Sequence, residues 1–288
     1  MSPSARRHSA HIGRWVVVAA ACTALAACSD GAANTASVTE VSITAFMPMT
    51  EPLPCDPLDE RACLLPWPND AFTVPDTHTP TGRRLAVAAD STPADVHGRH
   101  VPVAQLNTAD GFSPGATVLT AVAHLDAVAT GLPTKGQSTA SVEANAPIVL
   151  LDSTNHERLP YWTAVSTPQA DGTVLLSIHP ESPLPLGHHV IVALRAMKDH
   201  DGTVLPRTDA FQAAIDGTPE PPERATPLGD MLASLEANGV HADESLFLAW
   251  YFTVSDVEPN HSTSSAPNTY ADPVDAALAQ QLGLSTPS

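Results

Sequence analysis

Short apolar runs broken by turn residues fill the middle of the chain, and their length predicts strands rather than helices. The clearest block is residues 173–205, TVLLSIHPESPLPLGHHVIVALRAMKDHDGTVL. One run occupies 174–178 and stops at Pro180, Pro183, Pro185 and Gly187. A second, rich in β-branched side chains, occupies 189–194. Asp199-His200-Asp201-Gly202 then reads as a tight turn into a further strand, because Asp-Gly is a strong hairpin signal. Upstream, residues 116–125, 147–151 and 158–165 show the same pattern, the last two on either side of a Ser153-Thr154-Asn155 turn. With 174–179, 189–194 and 203–213 they make six strands. Such a set predicts an antiparallel β-sandwich of about 100 residues, placed at 113–216. Residues 131–146 form a long polar loop inside it.

Helical spacing comes later. In residues 217–254 a Pro/Glu-rich hinge precedes Thr226, expected as the cap, and Pro227, expected at the first helical position. Leu228, Met231, Leu232 and Leu235 then share one face, and Gly239 ends the helix. The run LFLAWYFTV at 246–254 predicts a buried strand. Residues 255–288 read as a low-complexity tail with a short helix opened by Asp272 and Pro273. Before the strands, 51–112 is Pro-rich and extended. Pro66 and Pro68 fix the backbone there, and Trp67 and Phe72 supply apolar anchors. The fold class expected is mainly β, with an N-terminal extended segment and a short C-terminal helical part.

The first 28 residues follow a different logic. Arg6, Arg7 and Arg14 precede an apolar segment at 15–27, too short to span a bilayer and suited to an export signal. Residues 28–50 are small and polar, a flexible tether. Of the four cysteines, Cys22 lies in the signal and Cys28 directly follows its apolar segment, which leaves Cys55 and Cys63 for a disulfide in an oxidising compartment. Acidic residues outnumber basic ones by 31 to 13, for a net charge of −18. That balance excludes nucleic acid as a partner, since phosphates demand a basic face, and it serves solubility.

Candidate chemistry is sparse. Gly111-Phe112-Ser113-Pro114-Gly115 fits G-x-S-x-G, which makes Ser113 a candidate nucleophile. A nucleophile elbow needs an apolar strand before the serine and a helix after it. Here a polar stretch precedes and a strand follows, so a turn opening the first sandwich strand is the preferred reading. In that reading Gly111 supplies an unusual backbone angle. Arg83 and Arg84 would clamp a carboxylate ligand or pair locally, as is common in so acidic a chain. No metal or other cofactor is expected. His188 and His189 point to opposite faces of a strand, and the oxygen ligands that should follow an Asp199-type calcium loop are missing.

Leu25-Ala26-Ala27-Cys28 resembles a bacterial lipobox. The resemblance implies a mature lipoprotein that begins at Cys28, lipidated as by palmitate and held to the cell or outer membrane. An ordinary signal peptide cut near Ala27 is the alternative. Leu184, Gly187, Ile191, Val192 and Leu194, with the K-D-x-D-G-T-x-L of residues 198–205, resemble the last strands of bacterial Ig-like domains of S-layer type. The pair LLPWPNDAFT at 64–73 and TPTGRRL at 79–85, with Asn107, Asp110 and 111–115, is similar to the opening of large exported bacterial lipase/esterase-like lipoproteins. That resemblance spans roughly residues 55–254. In those proteins a strand like 246–254 leads into a hydrolase region, whereas a polar stretch follows here. The resemblance therefore implies architecture and not activity.

Three functions are weighed. The first is a membrane-anchored surface lipoprotein with a non-catalytic Ig-like module. It would bind or position a protein or polysaccharide at the envelope, as a shortened, truncated relative of the lipase-like proteins. The second is an esterase using Ser113. The third is a structural envelope spacer.

Overall fold

A computed structural model of the chain describes residues 51–59 and 61–257. The expected signal, lipidation at Cys28, tether and tail helix fall outside the described residues. The fold is mainly β, in three antiparallel sheets. β1 (Thr73–Pro75) and β2 (Arg83–Leu85) form a hairpin. β3 (Val118–Ala123), β7 (Thr173–Pro180) and β6 (Tyr161–Val165) form a second sheet in the order β3-β7-β6. β4 (Ile148–Asp152), β5 (Glu157–Arg158), β8 (His189–Arg195) and β9 (Leu246–Thr253) form the third, in the order β5-β4-β8-β9. One apolar cluster draws residues from both larger sheets, and the Tyr161 hydroxyl donates to the Ile148 carbonyl between them at 2.7 Å.

The apolar runs form strands because their side chains are buried on both faces. All five residues of β4 are buried, as are Val190, Ile191, Val192, Ala193 and Leu194 of β8. The 246–254 run, expected after the sandwich, belongs to the four-stranded sheet itself. β9 lies antiparallel to β8, with Ile191 opposite Tyr251 and Val192 opposite Trp250.

Two expected strands differ. The stretch 158–165 breaks at Leu159–Pro160, since proline has no N–H for a ladder. β5 stays with β4, and β6 crosses to the other sheet. Residues 203–213 are not a strand: beyond one bridge between Lys198 and Val204, they turn into a helix at Asp209–Ile215. Thr208 caps that helix by accepting from the Phe211 N–H, and Phe211 and Ala214 bury one side of it.

Of the helices, α1 (Ala127–Thr130) is a single turn, α2 is Asp209–Ile215, and α3 is Ala225–Ala237. Thr226 does not cap α3. A 3-10 turn at Pro222–Arg224 leads into it, so Thr226 and Pro227 already lie in the first turn, where a missing N–H costs nothing. Leu228, Met231 and Leu235 are buried and Leu232 is half-buried, as the spacing predicts, and Gly239 beyond the helix end adopts φ +74°. α3 packs on β9. The polar loop at 131–146 is pinned: the Pro133 carbonyl accepts from the Thr163 N–H, and Ser141 accepts from the Tyr161 N–H.

Candidate functional site

The segment at 66–72 is threaded into the core. Trp67 and Phe72 are fully buried, and Trp67 exchanges two backbone hydrogen bonds with Leu119 of β3. Its polar residues are buried too, and they organise most of the buried charge.

Asp70 faces the end of β9. One carboxylate oxygen accepts from the Thr253 N–H at 2.9 Å and the other from the Thr253 hydroxyl at 2.7 Å. Arg83 ion-pairs with Asp70 at 3.2 Å and donates to the Thr73 hydroxyl at 2.8 Å. The His189 Nδ1 lies 3.0 Å from the Thr253 hydroxyl. That hydroxyl gives its proton to Asp70, so the imidazole nitrogen donates to it. Burial holds the His189 imidazole below its ordinary range.

Asn69 starts a second cluster. Its side chain donates to Asp56 at 2.6 Å, and Arg224, just before α3, grips both oxygens of Asp56 at 2.6 and 2.9 Å. Asp56 is fully buried and Arg224 is 5% exposed. Asp59 accepts from the Ala121 N–H and the Thr120 hydroxyl, yet burial pushes its carboxyl above the usual range. At the far end of β4, buried Asp152 accepts from His188 at 2.8 Å and from the N–H groups of Thr154 and Asn155.

The sequence-predicted candidates sit apart from this network or serve it. Ser113 is exposed on a turn, and its hydroxyl accepts from the Gly115 N–H at 3.2 Å. The residue before it, Phe112, makes a parallel bridge with Val254, and the chain after it becomes β3. Gly111 is there for space and not for an unusual angle. A Cβ on it would come within 2.7 Å of the Ser255 nitrogen and 2.8 Å of the Thr253 oxygen. Arg83 and Arg84 pair locally, with Asp70 and Asp76.

Compared with family models, curated proteins and solved structures, the chain has no match.

Cys55 and Cys63 form a disulfide, S–S 1.98 Å, which closes the loop that carries Asp56 and Asp59. His188 and His189 diverge, one to Asp152 and the other to Thr253. Asp199, His200 and Asp201 bring one ligand atom each within 4.8 Å of one another on the expected turn. The turn closes through Asp199 N–H to the Thr203 carbonyl and needs Gly202 at φ +80°. Among the described residues no helix is long and apolar enough to cross a membrane.

Sequence reasoning passed over Asp56, Arg224 and Thr253. A chain this acidic has many carboxylates, and nothing local marks Asp56 and Asp70 as the two that meet buried arginines. The one available signal was the run Asn69-Asp70 between buried aromatics, where a polar pair in an apolar setting must be hydrogen-bonded inside.

Proposed function

We propose that this chain is a membrane-anchored bacterial surface lipoprotein whose globular part is a non-catalytic Ig-like β-sandwich that binds or positions a partner at the envelope. The observation that carries the reading is how the buried acids are used. Asp56, Asp70 and Asp152 are satisfied by arginines, backbone N–H groups, a threonine or a histidine. That arrangement ties chain segments together, so these acids serve the fold rather than a reaction. The anchor rests on the basic n-region, the apolar segment and the Leu25–Cys28 pattern. A lipid-bearing cysteine holds a protein at a bilayer because each buried CH₂ contributes about 0.8 kcal/mol.

Two measurements test this together. Cells expressing the chain are fed a clickable palmitate analogue, and the label should vanish with Cys28→Ala. The purified protein is assayed on short-chain esters, where no turnover above background is expected. Hydrolysis that disappears in Ser113→Ala would overturn the non-catalytic reading.

A further inference from the structure

The end of β8 departs from regular geometry in two ways. The β8–β9 register slips between Leu194 and Arg195, and the next residue, Ala196, sits at φ +48°. Bulges of this kind re-aim a side chain, and a positive φ at a residue other than glycine is uncommon. Here they bring Arg195 and Lys198 to the rim of one hollow of about 260 Å³, lined as well by Thr130, Asn145, Pro147 and Ser245.

The charge at this hollow runs against the molecule. Arg61, Arg83, Arg84, Arg99 and Arg224 each lie within ion-pair distance of an aspartate. Among the described residues Arg195 and Lys198 pair with no carboxylate, although acids exceed bases by 18 in the chain. Arg158 reaches the same region. It donates to the Glu143 carbonyl at 2.7 Å, while Arg195 donates to the neighbouring Ala144 carbonyl at 3.3 Å. Two guanidinium groups are thus held close together by neutral acceptors. Asp243 lies near enough to feel Arg195 but forms no ion pair with it, and its Oδ1 accepts from the Ser245 N–H and hydroxyl. The Arg195 Nε–H is buried and has no hydrogen-bond partner among the described residues. A small turn of that guanidinium toward the hollow would break nothing at this nitrogen, and an anion oxygen would satisfy it.

We propose that the hollow formed by Arg195 and Lys198 at the end of β8 is a binding site for a small anionic group, a carboxylate or a phosphate. The planar fork of a guanidinium can pair with two oxygens of either group, and a nearby ammonium adds a point charge. The hollow is smaller than a pocket for a drug-sized ligand, so it takes the anionic end of a ligand and leaves the remainder outside. The site deepens the binding half of the proposed function. It does not depend on the anchor, so failed labelling at Cys28 leaves it standing.

The test is a two-dimensional NMR titration of the full chain with inorganic phosphate and, separately, with acetate, at constant pH and ionic strength. Saturable shifts are expected at the Arg195 Nε–H and at the Ala196 and Lys198 amides. The anion that produces them names the ligand class. Arg195→Gln should weaken binding about tenfold or more, as removal of a charge-assisted hydrogen bond does. Lys198→Gln should weaken it by a smaller factor, and it keeps the test open if the first variant does not fold. Shifts from neither anion at these residues, or wild-type binding in a folded variant, overturns the proposal.

Discussion

Asp70 meets partners that lie far away in sequence. Its two oxygens hold Thr253, 183 residues on, while Arg83 neutralises it from 13 residues on. A carboxylate so buried is stable only because every lone pair in use has a donor. Removing one side of such a pair strands the other inside the protein. Asp70→Ala is therefore expected to cost about 3–5 kcal/mol in urea unfolding. An Asp70→Leu, Arg83→Met double variant should lose less than the sum of its single changes, because it removes both charges. A double-variant loss equal to the sum of the two single losses would show that the pair does not act as a unit.

Gly111 shows the same economy at the level of elements. The backbone at 111–112 lies against the end of β9: Phe112 N–H donates to the Thr253 carbonyl and Ser255 N–H to the Phe112 carbonyl. With Asp70 on the Thr253 N–H, these bonds cover the end of an edge strand that would otherwise offer bare backbone to another chain. Gly111→Ala puts a methyl group into that contact. A loss of about 1–3 kcal/mol is expected, typical of overpacking, with a rise in aggregation seen by light scattering. Unchanged stability would mean that the two segments can part freely. The strands themselves were legible in the sequence, because 118–123, 148–152, 173–180, 189–195 and 246–253 each bury most of their side chains and so read as apolar runs. The helix at 209–215 was not, since only Phe211 and Ala214 mark its inner face and Thr208 looks like any turn threonine. The crossing at Leu159–Pro160 was hidden because both halves have strand character and only the proline divides them. The candidate site was least legible. The pairing of Asp56 with Arg224 is decided by the packing of α3, which no local pattern encodes.

For the molecule as a whole, protons weigh on one side. Burial holds the imidazoles of His179 and His189 below their ordinary value of 6.5, so the unfolded chain binds more protons than the folded one. Stability should fall as pH drops below 6.5. Asp76, Asp95, Asp171 and Asp243 are held below their ordinary 3.8 by hydrogen bonds from nearby N–H and O–H groups. Their contribution is lost in turn as pH falls through their folded values. Asp59, raised by burial, acts in the opposite sense, and its contribution fades as pH rises above 3.8. Urea midpoints should thus be lower at pH 5 than at pH 7.5, and His189→Gln should flatten that slope. A midpoint that does not change between the two pH values would contradict these assignments. The long-range bonds also have a consequence in time. Pro68 accepts from the Trp250 indole 182 residues away, Asp70 waits 183 residues for Thr253, and Asp56 waits 168 for Arg224. A chain made from its N-terminus has produced the whole 66–72 segment long before any of these partners exists. Contacts of such separation are slow to close, so the nascent protein stays pliable until β9 is supplied, and locks only then.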